Sequence, residues 1–241
     1  MEIRIFDSQL QLDEYAANIF IQLLARKKDA VLGLATGSTP IGLYNNLVES
    51  YKEGKVSFKD AYTFNLDEYV GVTPDNEQSY SFFMHKHLFS HVDLQAEHIH
   101  LLDGMAPNAE EECASFERKL DEKPLDIQLL GLGHNGHIAF NEPDTSLSNK
   151  THVVKLDDKT LQANARFFSS IDEVPKHAMT MGIGSIMKAK QILLIVRGAD
   201  KAAIVKEALQ GPITTQVPAS LLQLHANVTV LLDREAGRML V

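Results

Sequence analysis

The strongest constraint on the fold is an alternation running the length of the chain. Short, near-continuous apolar segments are separated by amphipathic stretches of helical period. Residues 30–35 (AVLGLA), 61–66 (AYTFNL), 125–130 (LDIQLL), 191–196 (QILLIV) and 228–232 (VTVLL) read as buried strands. Residues 12–24 place Leu12, Ala16, Ile19, Phe20 and Leu23 on one helical face, with Ser8 and Gln11 at capping-box spacing before it. Further helices are predicted over 41–51, 80–89, around Ala109, Cys113, Phe116 and Leu120, over 159–168, and over 200–210 with Gly211 placed to end it. Strands apolar on both faces, alternating with helices, predict a mainly parallel sheet covered on both sides. No repeat, linker or low-complexity tract interrupts the pattern, so residues 1–241 read as one domain.

Charge and cysteine usage exclude several classes of function. The net charge is −9 and no basic stripe is visible, which disfavours a nucleic-acid partner. An anionic substrate would have to be held by a few local donors against the global field. Cys113 is the sole cysteine, so no internal disulfide can form and a reducing, cytoplasmic setting is expected. The first residues carry no secretory pattern. No apolar run approaches the roughly 20 residues a membrane-spanning helix needs.

In parallel sheets ligands bind beyond the carboxyl ends of the strands. Three segments there carry chemistry. The first is Thr36-Gly37-Ser38-Thr39, hydroxyls and a glycine leading into a helix, which suits an anion at a helix N-terminus. It lacks the lysine of a nucleotide-triphosphate loop, and a plain strand-to-helix turn explains it equally. The second is the pair Asp67 and Glu68. Neighbours on an extended chain point to opposite sides, so one carboxylate is expected to face a site while the other is structural.

The third segment, residues 131–143 (GLGHNGHIAFNEP), sets His134, Asn135, His137, Asn141 and Glu142 in a glycine-rich frame. A histidine passes protons near neutral pH, and a carboxylate nearby can orient it and support its charged form. A metal held by His134, His137 and Glu142, or a purely structural turn, stays open on these residues alone. Lys201 lies at the right end of the sheet to meet an anion, and Arg166 sits on the polar 159–168 stretch. His98 and His100 share a strand face and are expected at the surface.

Taken in order, LATGSTP (34–40), FNLDEYVG (64–71), GHNGHIAFNEP (133–143) and NARFF (164–168) resemble the glucosamine-6-phosphate deaminases. The wider group includes 6-phosphogluconolactonases, but the AFNEP and FNLDEYVG segments match the deaminases. The resemblance implies a three-layer, Rossmann-like α/β fold. It implies conversion of glucosamine 6-phosphate and water to fructose 6-phosphate and ammonia, without metal or organic cofactor. It also assigns roles. Asp67 is implied as the isomerisation base, His137 as the proton carrier in ring opening with Glu142 and Asn135 assisting, and Thr36, Gly37, Ser38, Thr39, Arg166 and Lys201 as phosphate ligands.

Two departures shape the expectations. Some family members carry Asp where this chain has Asn135, so Glu142 becomes the main carboxylate partner of His137. Longer, hexameric relatives are activated by N-acetylglucosamine 6-phosphate through basic residues after the NEP motif and a C-terminal extension. Here residues 151–155 read THVVK and the chain ends at Val241. Little or no such activation is expected, with a monomer or small homo-oligomer. The polar 144–180 region is expected to act as a mobile lid.

Overall fold

The computed structural model describes residues 1–156 and 174–240. Seven strands form the main sheet: β1 (Glu2–Phe6), β2 (Val31–Leu34), β3 (Tyr62–Asn65), β5 (Ile99–His100), β6 (Ile127–Leu130), β9 (Ile192–Val196) and β10 (Val228–Asp233). Their order is β1-β10-β9-β6-β2-β3-β5, and every pairing is parallel. A second, antiparallel sheet of β4 (Asp67–Tyr69), β8 (His177–Thr180) and β7 (His152–Lys155) has the order β4-β8-β7.

The connections explain the layering. From β1 to β5 the chain steps toward one edge of the main sheet, carrying α1 (Gln9–Arg26) and α2 (Ile41–Lys52), which pack against each other. After β5 it steps back the other way through α4 (Ala109–Glu122) to β6, β9 and β10, with α5 (Ala202–Gln210) between the last two. Crossovers between parallel strands are right-handed, so reversing direction moves the helices to the opposite face. Both faces are therefore covered, and strands β2, β6 and β9 are buried along their whole length.

Local sequence accounts for most of these elements. Ser8 caps α1 by accepting from the Gln11 amide, and Asn108 does the same for α4 through Glu111. Buried Phe20, Tyr44, Phe64 and Phe116 fill the layers between helices and sheet, with Phe64 and Phe116 meeting edge to face. Each such ring contributes roughly 2–3 kcal/mol by leaving water.

Several expectations need correction. Strand β1 was not anticipated. Its residues are half exposed at the sheet edge, so it lacks the continuous apolar signature of the central strands. Within the region expected to be a lid, 144–180, residues 152–155 and 177–180 form strands β7 and β8, which pair with each other, and residues 157–173 lie outside the described residues. The expected helix at 159–168 lies outside the described residues. His98 and His100 are not simple surface residues: the His98 ring stacks 3.9 Å from Tyr62, and His100 sits 4.4 Å from Phe64. Burial and nearby cationic groups push the His100 imidazole down to about 4.

Candidate active site

Strands β2 and β6 are neighbours, yet the chain leaves their carboxyl ends toward opposite faces of the sheet. Such a switch point opens a crevice between the outgoing loops. A cavity of about 570 Å³ lies there, lined by the loop after β2, the segment after β6, Asp67 and Lys201. This size suits a small molecule.

The loop after β2 is held from outside and left open within. The Tyr44 hydroxyl of α2 donates to the Ala35 carbonyl at 2.5 Å, fixing the strand end. Gly42, in the first turn of α2, has no room for a side chain because the Asp13 carboxylate of α1 occupies that space. Asp13 in turn pairs with Arg197, which follows β9. The loop is thus wedged between α1 and the end of β9. Gly37 has φ +93°, and nothing lies within 4 Å of where a Cβ would stand. The side chains of Thr36, Ser38 and Thr39 bond to no described residue, and no side chain caps α2. Uncapped amides at the positive end of a helix, beside hydroxyls, form an anion-binding surface.

The segment after β6 is built in the opposite way. The His137 amide donates to Asn135 Oδ1 at 3.2 Å, and Asn135 Nδ2 donates to Glu142 Oε2 at 2.5 Å. The His137 ring meets the same carboxylate oxygen through Nδ1 at 3.1 Å. Ala139 takes φ +52°, and the resulting turn brings Glu142 back onto His137. A non-glycine residue there costs about 1 kcal/mol or more, which the packed surroundings sustain. The imidazole lies where a Cβ on Gly133 would stand, with ring atoms 2.3–2.5 Å from that point. Glu142 accepts, so Nδ1 carries the proton and Nε2 keeps a lone pair.

Asn141 takes no part in the cavity. Its amide donates to the carbonyls of Ile138 and Met181, stapling the turn to the segment after β8. His134 does line the cavity, but its Nε2 is engaged by exposed Asp200 at 2.6 Å. His134, His137 and Glu142 therefore do not converge as metal ligands would. Lys201 belongs to a single 3-10 turn, Ala199–Lys201, and not to the helix that follows. Its Nζ donates to the Leu132 carbonyl at 2.8 Å, at the cavity wall.

Asp67 and Glu68 divide as their alternation predicts. Asp67 lines the cavity, 8% exposed, and no described residue donates a hydrogen bond to its carboxylate. Burial, and then the neighbouring Glu68 charge, push it up to about 8. Glu68 turns the other way and accepts from the amides of Tyr69, Tyr80 and Ser81, which holds the start of α3 (Tyr80–His87).

The cavity therefore gathers Thr36, Gly37, Ser38, Thr39, Asp67, Asn135, His137 and Lys201. Glu142 stands behind His137 and not on the cavity wall. Arg166 lies outside the described residues. The apolar wall was not foreseen: Leu66, Tyr69, Tyr80, Phe83 and Phe140 line one side, with Tyr80 and Phe140 stacked 6.2 Å apart. An aromatic spacing in FNLDEYVG and SYSFF offered the only signal for it.

Comparison with known proteins bears on this geometry. The family of glucosamine-6-phosphate isomerases/6-phosphogluconolactonase matches residues 7–231. The glucosamine-6-phosphate deaminase of Clostridium tetani is 50% identical over 241 residues, covering all of both chains. That of Thermoanaerobacter pseudethanolicus is 47% identical over 241 residues, covering all of this chain and 95% of its own. A solved structure of a monomeric glucosamine-6-phosphate deaminase superposes with a TM-score of 0.96 at 46% identity, covering 99% of this chain and 100% of that one.

Proposed function

The chain belongs to the family of glucosamine-6-phosphate isomerases and 6-phosphogluconolactonases, and we propose that its cavity converts glucosamine 6-phosphate and water to fructose 6-phosphate and ammonia. The observation that carries this reading is the meeting, in one cavity, of a buried carboxylate that no described residue pairs, a pre-oriented imidazole and a helix start with no side-chain cap. A 6-phosphogluconolactonase on the same fold would have no use for a base aimed at a carbon-bound proton.

The phosphate sits on the 36–39 loop, with Lys201 at the wall; Arg166 remains a sequence-based expectation. His137 Nε2 takes the proton of the anomeric hydroxyl and delivers it to the ring oxygen as the bond between C1 and that oxygen breaks. Glu142 supports the transient imidazolium through Nδ1, and Asn135 holds Glu142 in place. Both act through His137 and so serve as positioning residues. Asp67 then removes the C2 proton of the open chain. Asp67 returns that proton at C1 while a proton passes from the C2 nitrogen to the C1 oxygen, leaving a C2 imine that water hydrolyses to the ketone and ammonia. A carboxylate whose proton affinity lies near neutrality both takes and returns a proton efficiently, which suits Asp67 to this cycle.

We place the reaction in the cytoplasm, on the strength of the single, buried thiol of Cys113. Among the described residues no helix is long and apolar enough to cross a membrane. A monomer is the assembly we favour, supported by the likeness to a monomeric deaminase. Light scattering checks it, and a hyperbolic substrate curve unmoved by N-acetylglucosamine 6-phosphate is the expected companion result.

The decisive experiment is ammonia release from glucosamine 6-phosphate by the wild type and by Asp67→Asn. The variant should lose about 10³-fold or more in rate, as expected for removal of a general base. A fully active Asp67→Asn sinks the assignment.

A further inference from the structure

Asp67 and Glu68 are consecutive residues of β4 with unequal surroundings. The Glu68 carboxylate is 2% exposed and receives three backbone N–H groups: Tyr69 at 2.9 Å, Tyr80 at 3.0 Å and Ser81 at 2.9 Å. Two of these donors belong to the first turn of α3, where the helix leaves its amides unpaired. Ser79 takes the next one, from Phe82. Burial raises the Glu68 carboxyl above its ordinary value, and these three hydrogen bonds oppose that rise by favouring the charged form. Asp67 has none from a described residue. As the pair loses protons, the first negative charge therefore settles on Glu68, and Asp67 must ionise beside it.

Among the described residues, the other groups near Asp67 offer little to offset that charge. Strand β8 presents Ala178, Met179 and Thr180 to β4, none of them titratable, while its His177 is exposed at the far end. From α3 comes Tyr80, and from β4 itself Tyr69; burial pushes both phenols upward, so they stay neutral. Across the cavity stand His137, already paired with Glu142, and Lys201, bonded to the Leu132 carbonyl. The bond from the Tyr80 amide also fixes that residue, whose ring lies 4.9 Å from Tyr69 and lines the cavity.

We propose that Glu68 is a positioning residue for the isomerisation step: its charge, anchored by the amides of α3, sets the pH at which Asp67 becomes a base, and the same anchor holds Tyr80 at the cavity wall. This rests on the reading of Asp67 as the base. The role differs from a plain helix cap because it moves a pH profile and not stability alone.

The test is kcat/KM against pH, followed by ammonia release, for the wild type, Asp67→Asn and Glu68→Gln. In the wild type the acidic limb reports ionisation of the base in the free enzyme. Glu68→Gln removes the charge and keeps one acceptor. Its limb moves down by about one pH unit, so that at pH 6 the rate relative to its own plateau rises about tenfold. A limb left at the wild-type position, with Asp67→Asn inactive, overturns this inference and leaves the base assignment standing. An active Asp67→Asn overturns the underlying reading instead. Glu68→Asp carries the test if Glu68→Gln does not fold. It keeps the charge but draws it back from the amides, so the limb stays and the plateau falls several-fold. A wild-type plateau in Glu68→Asp rejects the anchoring role.

Discussion

The segment after β6 and the loop after β2 lie side by side at the ends of adjacent strands, yet they are built in opposite ways. In the first, Asn135, His137 and Glu142 are bound to one another, and Gly133 is a glycine because an imidazole already fills its side-chain space. In the second, three hydroxyl side chains bond to no described residue, and Gly37 is a glycine because of its φ of +93° with open space before it. Groups that must hold a geometry for proton transfer are paired before substrate arrives. Groups that must grip an anion keep their hydrogen bonds in reserve. Preorganisation at the first site lowers the barrier; at the second, satisfied donors would compete with the ligand.

Substitutions at the two glycines should separate these designs most sharply. Gly133→Ala drives a methyl into the His137 ring and should lower kcat by roughly 10²-fold or more, as misplacement of a reacting group does, with the fold intact by circular dichroism. Gly37→Ala meets no protein atom. It should cost about 1–2 kcal/mol in stability for the left-handed backbone, with its kinetic effect falling on KM. A Gly133→Ala enzyme of near wild-type rate would break the contrast.

The next effect concerns Asp67, which like the loop has no hydrogen-bond partner among the described residues. Its carboxyl stands at about 8 in the folded chain, above the ordinary 3.8. A raised acid contributes stability that is complete below the ordinary value and is lost as pH rises through the folded one. Asp67→Asn escapes that loss. Urea denaturation at pH 5 and pH 8 should show the variant gaining on the wild type with rising pH, by a few kcal/mol at pH 8. An unchanged difference between the two pH values would remove the desolvation argument.

Smaller effects sharpen the comparison further. Ser38→Ala with Thr39→Val should raise KM about tenfold or more while kcat holds, since ground and transition states share the phosphate contacts. Asn135→Asp should be the mildest. Asp cannot donate to Glu142, so a second carboxylate comes to lie beside His137 and favours the imidazolium. Nitrogen-15 spectra of the ring should show more of the charged form at a given pH than in the wild type, with activity changed only several-fold. An unaltered ring spectrum would remove Asn135 from the electrostatics of the site.

Much of this was legible in the sequence because burial imposes composition. Strands β2, β6, β9 and β10 are covered on both faces, so their apolar runs announce them. Strands β4, β7 and β8 are three or four residues long and exist through tertiary pairing, which no local pattern encodes. The groups proposed for proton transfer stood out because polar residues crowd a glycine frame at a strand end. Asn141 shows the limit of that argument: it has the same chemistry as Asn135 but serves as a staple. The Asp13–Arg197 pair, separated by most of the chain, and the aromatic wall were invisible for the same reason as the short strands.

The placement of Asp67 on the small antiparallel sheet has an evolutionary consequence. Its partner across the ladder is Thr180, whose hydroxyl also accepts from the Phe140 amide. Strands β7 and β8 pair with each other across that small sheet, from His152 opposite Thr180 to Lys155 opposite His177. Side chains in a strand alternate, so a slip of one residue between β4 and β8 would exchange the faces of Asp67 and Glu68. The base would then point into protein and the helix anchor into the cavity. Sequence drift in β4 and β8 is therefore neutral only while Thr180 keeps its place, and a single hydroxyl acts as the register mark of the ladder.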